Sequence, residues 1–487
     1  MTSDAEVSHS DSASRMAIRV GVIFVCRMGQ IAVGVVVALL LARHYGPEVY
    51  GGLSFAFAFA EIFEVVAVLG TTIVITRQLV LLKGVDAADF WRNALLVRVI
   101  LVTVGLVGAW VTAWIFFRDP PGTLVMLLWA SLGLITSLRV AYQAVLRARE
   151  RADWSAGANV GRSILYLSLI MVVVVNDASA LRVIQASLVA TFVAVAWDRA
   201  LARRFLVPGG KASWSGMKSL LIRSVPLALS AILTVIQVRI DILMLKVMSG
   251  DVAVGLYSAA TRLTEAAYVA PAALGVVVFP ALTRAFASRG SNLQAFFSNI
   301  IVIMIALGLP FAILMSYYAD SVIMLLFGSE FAFSAPVLVV MSMQVPLGFV
   351  NIALVNLLFA AEKQKVEMWA SVATTLVNVV ANLALIPVLG PVGAALATVL
   401  CQLVAFIVLW QMSSVVVTPA IPGRTLVTIG VLNLLMYLGC RALDTAVPWI
   451  AAALTLSIAY LALLMATNID VRNQIARLIK GRNEKAP

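Results

Sequence analysis

Two stretches of similar sequence decide how this chain is organised: HYGPEVYGGLSFAFAFAEIFE at residues 44–64 and MSGDVAVGLYSAATRLTEAAY at residues 248–268. One offset of about 204 residues aligns three pairs: Gly46 with Gly250, Gly51 with Gly255, and Glu61 with Glu265. Each copy follows one apolar stretch and opens another. The order of similar segments continues over six apolar stretches, which predicts an internal repeat.

The composition around the two copies is that of a membrane protein. Of the 487 residues, 62% are hydrophobic and only 12% are charged, whereas soluble domains average about 45–50% apolar and about 25% charged residues. A membrane span needs about 20 mostly apolar residues, and runs of that length recur from Ala17 to Thr467. The sequence therefore predicts an integral membrane protein built almost entirely of helices.

We expect fourteen transmembrane helices. Their approximate boundaries are 17–42, 51–81, 91–117, 122–147, 157–176, 179–200, 219–248, 254–286, 293–318, 333–361, 366–388, 391–414, 423–444 and 448–467. The polar residues 1–14 lack the pattern of a cleaved signal peptide, so the first span is expected to be retained. Basic residues collect in alternate loops, such as 147–151 and 203–218. By the positive-inside rule, both termini are expected in the cytoplasm.

The repeat divides the predicted helices into two lobes. We expect six helices in residues 1–217, a cytoplasmic linker at about 201–218, six helices in 218–416, and two added helices with a basic cytoplasmic tail in 417–487. Because six is an even number, both lobes enter the membrane in the same direction, and an axis along the membrane normal relates them. Parallel repeats around a central cleft are a frequent plan among transporters.

Several other classes of protein are disfavoured. The formal net charge of +12 is distributed according to membrane topology, so no nucleic-acid partner is expected. Cys26, Cys401 and Cys440 lie in apolar spans, and His9 and His44 lie in different regions, so neither a metal site nor a disulfide framework is predicted. The acidic residues of the outer loops are scattered and form no catalytic pair, and the sequence shows no Ser/His/Asp set or phosphate-binding glycine loop. We therefore expect no enzymatic activity.

Ionisable side chains inside the predicted spans are the main functional signal. Ten lie away from the span ends: Arg27, Glu61, Glu64, Arg98, Arg139, Arg162, Arg239, Asp241, Arg262 and Glu265. Each costs about 2.5–3.5 kcal/mol at the bilayer centre on insertion scales, so these groups must pair or face water. Six are positive and four are negative, which predicts an electropositive interior. Such an interior suits an anionic substrate better than a cationic drug.

The spacing of these residues suggests how some of them pair. Arg262 and Glu265 lie three residues apart on one helix face and can neutralise each other. Glu61 and Glu64 have the same spacing, so these like charges require an arginine from another helix or a bound cation. Arg239 lies two positions from Asp241 and is expected to point to another side of their helix.

Two interpretations remain open for the arginines. Arg27, Arg98, Arg239 and Arg262 are the candidates for contacting a substrate in a common cavity between the lobes. Alternatively, they form interhelical ion pairs that stabilise the lobes, an interpretation that is favoured for Arg162 and Glu64.

Four segments in sequence order resemble a known family: LLARHYGPEVYGGLSFAFAFAEIF, then LGTTIVITRQ, then VRIDILMLKVMSGDVAVGLYSAATRL, and then NLALIPVLGPVGAALATVL. They are similar to the polysaccharide-biosynthesis membrane proteins, which are lipid-linked oligosaccharide flippases of the multidrug/oligosaccharidyl-lipid/polysaccharide exporter superfamily. The resemblance extends over about residues 15–465. It implies two six-helix bundles around a V-shaped central cavity, plus two C-terminal helices, in the inner membrane of a bacterium.

The resemblance also implies a function. An undecaprenyl-pyrophosphate-linked oligosaccharide, the repeat unit of a polysaccharide, would move from the inner to the outer leaflet by alternating access. Cavity cations would hold the pyrophosphate, and the forked guanidinium of arginine suits that group. Asp241 matches an aspartate of the family pattern, and Asp241, Glu61 and Glu265 are candidates for coupling H⁺ or Na⁺ or for structural roles. No other cofactor is implied. Expected partners are the lipid-linked glycan, membrane lipids, and a polysaccharide polymerase or glycosyltransferases.

Three alternative functions stay open. A cation-coupled drug exporter of the same superfamily would need an excess of acidic residues in its cavity. A flippase for a peptidoglycan lipid precursor would share the fold and the anionic substrate. A membrane glycan polymerase or ligase would carry a long outer loop with catalytic residues, whereas the outer loops here are short.

Overall fold

The computed structural model describes residues 2–118, 120–287, 293–444 and 447–467. Within these ranges the chain forms sixteen α-helices and two short 3-10 helices, and no strand. The chain divides into two compact units, Met1–Gly255 and Leu256–Pro487. The basic tail predicted after the last span lies outside the described residues, and the predicted domain boundaries stay predictions.

The first unit contains the first seven helices and most of the eighth. These are α1 (Thr2–Val68), α2 (Thr71–Leu81), α3 (Gly84–Phe116), α4 (Pro121–Ser131), α5 (Thr136–Ala148), α6 (Ala152–Val175), α7 (Ala180–Arg203) and α8 (Trp214–Ala267). Helix α1 packs against α3, α4 and α6, and α7 packs against α5 and α6. A buried apolar cluster that includes Ile75, Trp91 and Tyr142 joins α2, α3 and α5.

The second unit contains the end of α8 and eight further helices. These are α9 (Val269–Ala287), α10 (Leu293–Tyr317), α11 (Ala319–Leu326), α12 (Ser334–Ala360), α13 (Gln364–Leu389), α14 (Pro391–Ser414), α15 (Gly423–Leu443) and α16 (Trp449–Thr467). Helix α12 lies between α10 and α14, and α15 packs against α10 and α16. The buried side chains of Phe297, Phe349 and Leu357 fill the centre of this unit.

The helices have the length and apolarity of membrane spans. Eleven helical segments of the described chain are long and apolar enough to cross a bilayer. One of them, Gly21–Leu81, has 61 residues and covers the first two predicted spans. Large apolar side chains on the outer surface are exposed, as Trp114 is at 56% and Val175 at 77%, which is expected where lipid covers them. The all-α membrane fold is confirmed, and the total of fourteen spans stays a prediction.

Two glycines at equivalent positions of the repeat interrupt the two longest helices. Gly46 has φ 71° inside α1, and Gly250 has φ 82° inside α8. Glycine adopts positive φ without the steric penalty that a Cβ introduces, so it is the residue expected at such a kink. The alignment of Gly46 with Gly250 therefore matches a shared backbone feature, a kink after the first span of each copy.

The next aligned pair of glycines allows α1 and α8 to approach closely within the first unit. A Cβ on Gly51 would collide with the backbone of Asp251 and Gly255, and a Cβ on Gly255 would collide with the backbone of Pro47. Beside this crossing, Lys246 pairs with Asp251 at 2.6 Å, and its ammonium lies 5.5 Å from the centre of the Phe55 ring. The two helices can therefore cross this closely only because both positions are glycine.

Replacing Gly51 by alanine should greatly reduce the amount of folded protein in the membrane. The added methyl would meet rigid backbone, and overpacking of this kind costs about 1–3 kcal/mol or more. Gly52→Ala is the matched control, because a Cβ there would lie 3.7 Å from the nearest atom, an ordinary contact. The measurement is the monodisperse fraction after detergent extraction. Equal yields of the two variants would contradict the close crossing.

Candidate functional site

A buried ion pair connects α5 and α7 in the first unit. The Nε of Arg139 donates a hydrogen bond to Oδ2 of Asp198 at 2.7 Å. The two side chains are 6% and 0% exposed. The guanidinium of Arg139 also donates to Oδ1 of Asn159 on α6. Removing charges from water is costly unless they are paired and hydrogen-bonded. These contacts compensate Arg139 and Oδ2 of Asp198, whereas Oδ1 of Asp198 is buried without a hydrogen-bond partner among the described residues.

Gln143 extends the same network one helical turn further along α5. Its Nε2 donates to Asp198 Oδ2 at 2.9 Å and to Asn159 Oδ1 at 3.2 Å. The network therefore joins α5, α6 and α7. The sequence analysis did not identify Asp198, because it considered only ionisable residues away from the span ends and Asp198 lies two residues from the end of the predicted span 179–200. The i, i+4 spacing of Arg139 and Gln143 on one helix face was the available signal.

Arg98 stabilises the break between α1 and α2. Its side chain on α3 is fully buried. One terminal nitrogen donates to the carbonyl of Ala67 at 3.3 Å, and the other donates to the hydroxyl of Thr72 at 3.2 Å. The carbonyls at the end of a helix have no partner within it, so such a donor satisfies one of them. A direct role of Arg98 in substrate binding stays a prediction.

Arg239 and Glu61 pair across α1 and α8. The Nε of Arg239 donates to Oε2 of Glu61. The two side chains are 18% and 46% exposed, so part of this pair faces the outside of the unit. The sequence predicted that the Glu61 and Glu64 carboxylates require an arginine from another helix or a bound cation. At Glu61 the structure shows an arginine from another helix.

Glu64 connects this ion pair to the network further inside the unit. It interacts electrostatically with Glu61 and with three arginines, Arg98, Arg139 and Arg162. The Nε of Arg162 on α6 is buried and has no hydrogen-bond partner in the part of the chain that is described. The set Glu61, Glu64, Arg98, Arg139, Arg162, Asp198 and Arg239 is called here the inner polar cluster. It contains four arginines and three carboxylates.

The other two predicted arginines lie outside the inner polar cluster. Arg27 is exposed on α1 and makes no ion pair with any described residue. In the second unit, Arg262 pairs with Glu265 at 3.3 Å, and the side chains are 45% and 36% exposed. The predicted i, i+3 pairing is confirmed. A single cavity containing all four arginines stays a prediction.

Asp241 and Arg239 have different surroundings although they are two residues apart. Asp241 is 3% exposed, whereas Arg239 extends to Glu61 on α1. This agrees with the expectation that they point to different sides of α8. Thr234 and Gln237, which lie seven and four residues before Asp241 on α8, are exposed and half-buried respectively. The coupling or structural roles of Asp241, Glu61 and Glu265 stay predictions.

The first part of the chain has recognisable relatives. The family model for polysaccharide biosynthesis proteins matches residues 19–286. The probable low-salt glycan biosynthesis flippase Agl15 of Haloferax volcanii is 24% identical over 258 residues, which are 53% of this chain. The match spans only 54% of the length of that relative.

Solved structures extend the similarity of fold to most of the chain. A lipid II flippase, MurJ, in an inward closed conformation is similar with a TM-score of 0.75 and 13% identity, over 93% of this chain and 99% of that one. An inward-facing multidrug resistance transporter of the MATE family and the MOP superfamily has a TM-score of 0.68 and 16% identity, over 79% and 94% of the two chains. These likenesses concern the fold. Because the family model covers more than half of the sequence, the chain belongs to the polysaccharide biosynthesis protein family, as its four segments predicted.

Proposed function

We propose that this protein is a flippase for a lipid-linked glycan. Its substrate would be an undecaprenyl-pyrophosphate-linked oligosaccharide, moved from the inner to the outer leaflet of a bacterial inner membrane by alternating access. Membership of the polysaccharide biosynthesis family supports a place in glycan assembly, and the curated relative is itself named a glycan biosynthesis flippase. In this proposal the protein is a transporter and not an enzyme.

The observation that carries the proposal is the arginine excess in the first unit. When the buried Asp241 of α8 is counted with the inner polar cluster and Arg27, the set contains five arginines and four carboxylates. Arg27 is an exposed cation without an ion pair among the described residues. A pyrophosphate carries several negative charges, and arginine binds phosphate oxygens through two parallel donors. A site for a cationic drug would require the opposite balance of charge.

The arginines divide into two roles in this proposal. Arg27, Arg239 and Arg262 contact the pyrophosphate, since each has an exposed or partly exposed side chain. Arg98 contributes positive potential without contacting the substrate, because its terminal nitrogens already donate hydrogen bonds to Ala67 and Thr72. Asp241 is the candidate for coupling transport to an H⁺ or Na⁺ gradient, because a buried carboxylate changes its free energy strongly on binding a cation.

Reconstitution into lipid vesicles tests the substrate class. A fluorescent undecaprenyl-pyrophosphate glycan should become accessible from the opposite leaflet only when the protein is present, and the matching lipid monophosphate should move more slowly because it has fewer phosphate oxygens. A cationic dye serves as the drug-like control. Faster movement of the dye than of the pyrophosphate lipid would overturn the proposal in favour of a drug exporter, and selectivity for a peptidoglycan precursor would favour that alternative.

A further inference from the structure

We propose that a second anion site, separate from the inner polar cluster, binds a phosphate group, either of a lipid headgroup or of a soluble phosphate ester. A cavity of about 560 Å³ lies where the start of α3, the end of α7 and the following linker meet. Its lining includes Trp91, Arg92, Tyr142, Arg199, Arg203 and Leu206. Ligand pockets commonly enclose about 300–1,000 Å³, so this cavity has the size of a small-molecule or headgroup site.

Three arginines give the cavity its charge. Arg92, Arg199 and Arg203 have exposed side chains, and none of them forms an ion pair or a side-chain hydrogen bond with a described residue. Arg199 and Arg203 are four residues apart, on one face of α7, and both interact electrostatically with Tyr142. No carboxylate from the part of the chain that the structure describes lines the cavity. The arginine donors are therefore available to an anion.

The inner wall of the cavity is apolar. Trp91 and Tyr142 are buried, and their ring centres lie 5.5 Å apart. Ala88 and Leu95 of α3 and the linker residues Leu206, Val207 and Pro208 add further apolar surface. A cluster of arginines beside apolar surface matches a ligand with a charged end and an apolar body. On binding, the charged end moves from water to the arginines and the apolar body moves from water to the apolar wall.

The linker side of the cavity is held in place by α3. A Cβ on Gly210 would collide with the carbonyl group of Ala88, so the linker backbone lies directly on the helix. The amide of Lys211 donates to Oδ1 of Asp89 at 2.6 Å, and the amide of Ser213 donates to Oδ1 of Asn93 at 2.8 Å. A wall that is already ordered reduces the entropy cost of binding.

The location indicates two sources for the phosphate. Arg92, near the start of α3, and Arg203, at the end of α7, belong to groups of basic residues that the positive-inside rule predicts to be cytoplasmic. The inner leaflet there is rich in anionic lipids that attract basic residues. One source is the headgroup of such a phospholipid. The other is a soluble cytoplasmic phosphate ester. Both present phosphate oxygens to the forked donors of arginine.

The test uses the full-length protein in detergent and native mass spectrometry. Wild type is titrated with phosphatidylglycerol and, separately, with zwitterionic phosphatidylcholine. Inorganic pyrophosphate is the soluble probe. The pocket variant is Arg199→Gln/Arg203→Gln, and the control is Arg77→Gln/Arg149→Gln, which removes two exposed arginines that do not line the cavity. The retention volume in size-exclusion chromatography and the midpoint of thermal unfolding establish that each variant is folded. A third variant, Arg199→Lys/Arg203→Lys, retains the positive charge and is the milder change.

We expect one phosphatidylglycerol to bind wild type in preference to phosphatidylcholine. The pocket variant should lose about tenfold in affinity, equivalent to about 1.4 kcal/mol, while the control keeps wild-type affinity and the lysine variant is intermediate. A second result would support the site and assign it to a soluble phosphate. In that result wild type binds pyrophosphate but shows no preference for phosphatidylglycerol, and the pocket variant no longer binds pyrophosphate. Wild-type binding of both probes by the folded pocket variant would overturn the proposal, as would an equal loss in the control.

Discussion

Alanine at position 239 should lower transport of the lipid-linked glycan by at least about tenfold, equivalent to about 1.4 kcal/mol. Arg239 is only 18% exposed, and in the proposed function its guanidinium binds pyrophosphate. Arg239→Lys retains the charge and loses the fork, so transport should fall only in part. The measurement is accumulation of lipid-linked glycan on the inner leaflet, with the amount of protein in the membrane determined for each variant.

The ion pair with Glu61 provides the control for this result. Glu61 is 46% exposed, so its carboxylate can be hydrated when Arg239 is absent, and the protein should still fold. Glu61→Gln removes the same ion pair and leaves the arginine in place. If Arg239 acts only through the pair, the two variants should be equally impaired. If Arg239 binds phosphate, Glu61→Gln should retain most of the transport. Wild-type flipping by Arg239→Ala at normal abundance would contradict the phosphate role.

Asp198→Ala should destabilise the first unit by about 3–5 kcal/mol, the range found when one partner of a buried ion pair is removed. The side chain of Arg139 is 6% exposed and that of Asp198 is 0% exposed. The guanidinium of Arg139 would therefore remain buried without its carboxylate partner and with little access to water. Gln143 would lose its 2.9 Å acceptor as well. Asp198→Asn keeps one oxygen acceptor and should be affected less. Unfolding of the purified protein by sodium dodecyl sulfate in mixed micelles measures the change.

Two further variants separate this mechanism from a loss of packing. Replacing both partners, in Arg139→Met/Asp198→Leu, removes both buried charges and should recover much of the stability, since apolar replacements of buried ion pairs are often neutral. Glu265→Ala removes one partner of a pair that is 45% and 36% exposed, and it should cost about 1 kcal/mol or less. If Asp198→Ala is as stable as Glu265→Ala, the buried network does not support the fold.

The charged residues show how far sequence reasoning extends into a membrane protein. The i, i+3 pairing of Arg262 with Glu265 was predictable, because both residues lie on one helix and helical geometry sets their distance. The partner of Arg239 was not predictable, since Glu61 lies 178 residues away and only helix packing brings them together. Arg98 was expected to face a cavity, and the structure places its terminal nitrogens on the break between α1 and α2.

The sequence by itself determined that the chain lies in a lipid bilayer, that it is helical, and that it contains an internal repeat. Apolar runs of about 20 residues require a bilayer, and the alignment of Gly46 with Gly250 located equivalent kinks because positive φ demands glycine locally. Only the tertiary structure decided which charges share the inner polar cluster, and that three arginines with no ion pair among the described residues line a cavity beside Trp91. The physical reason is that periodicity fixes which face of a helix a residue occupies, whereas its neighbours depend on how distant helices pack.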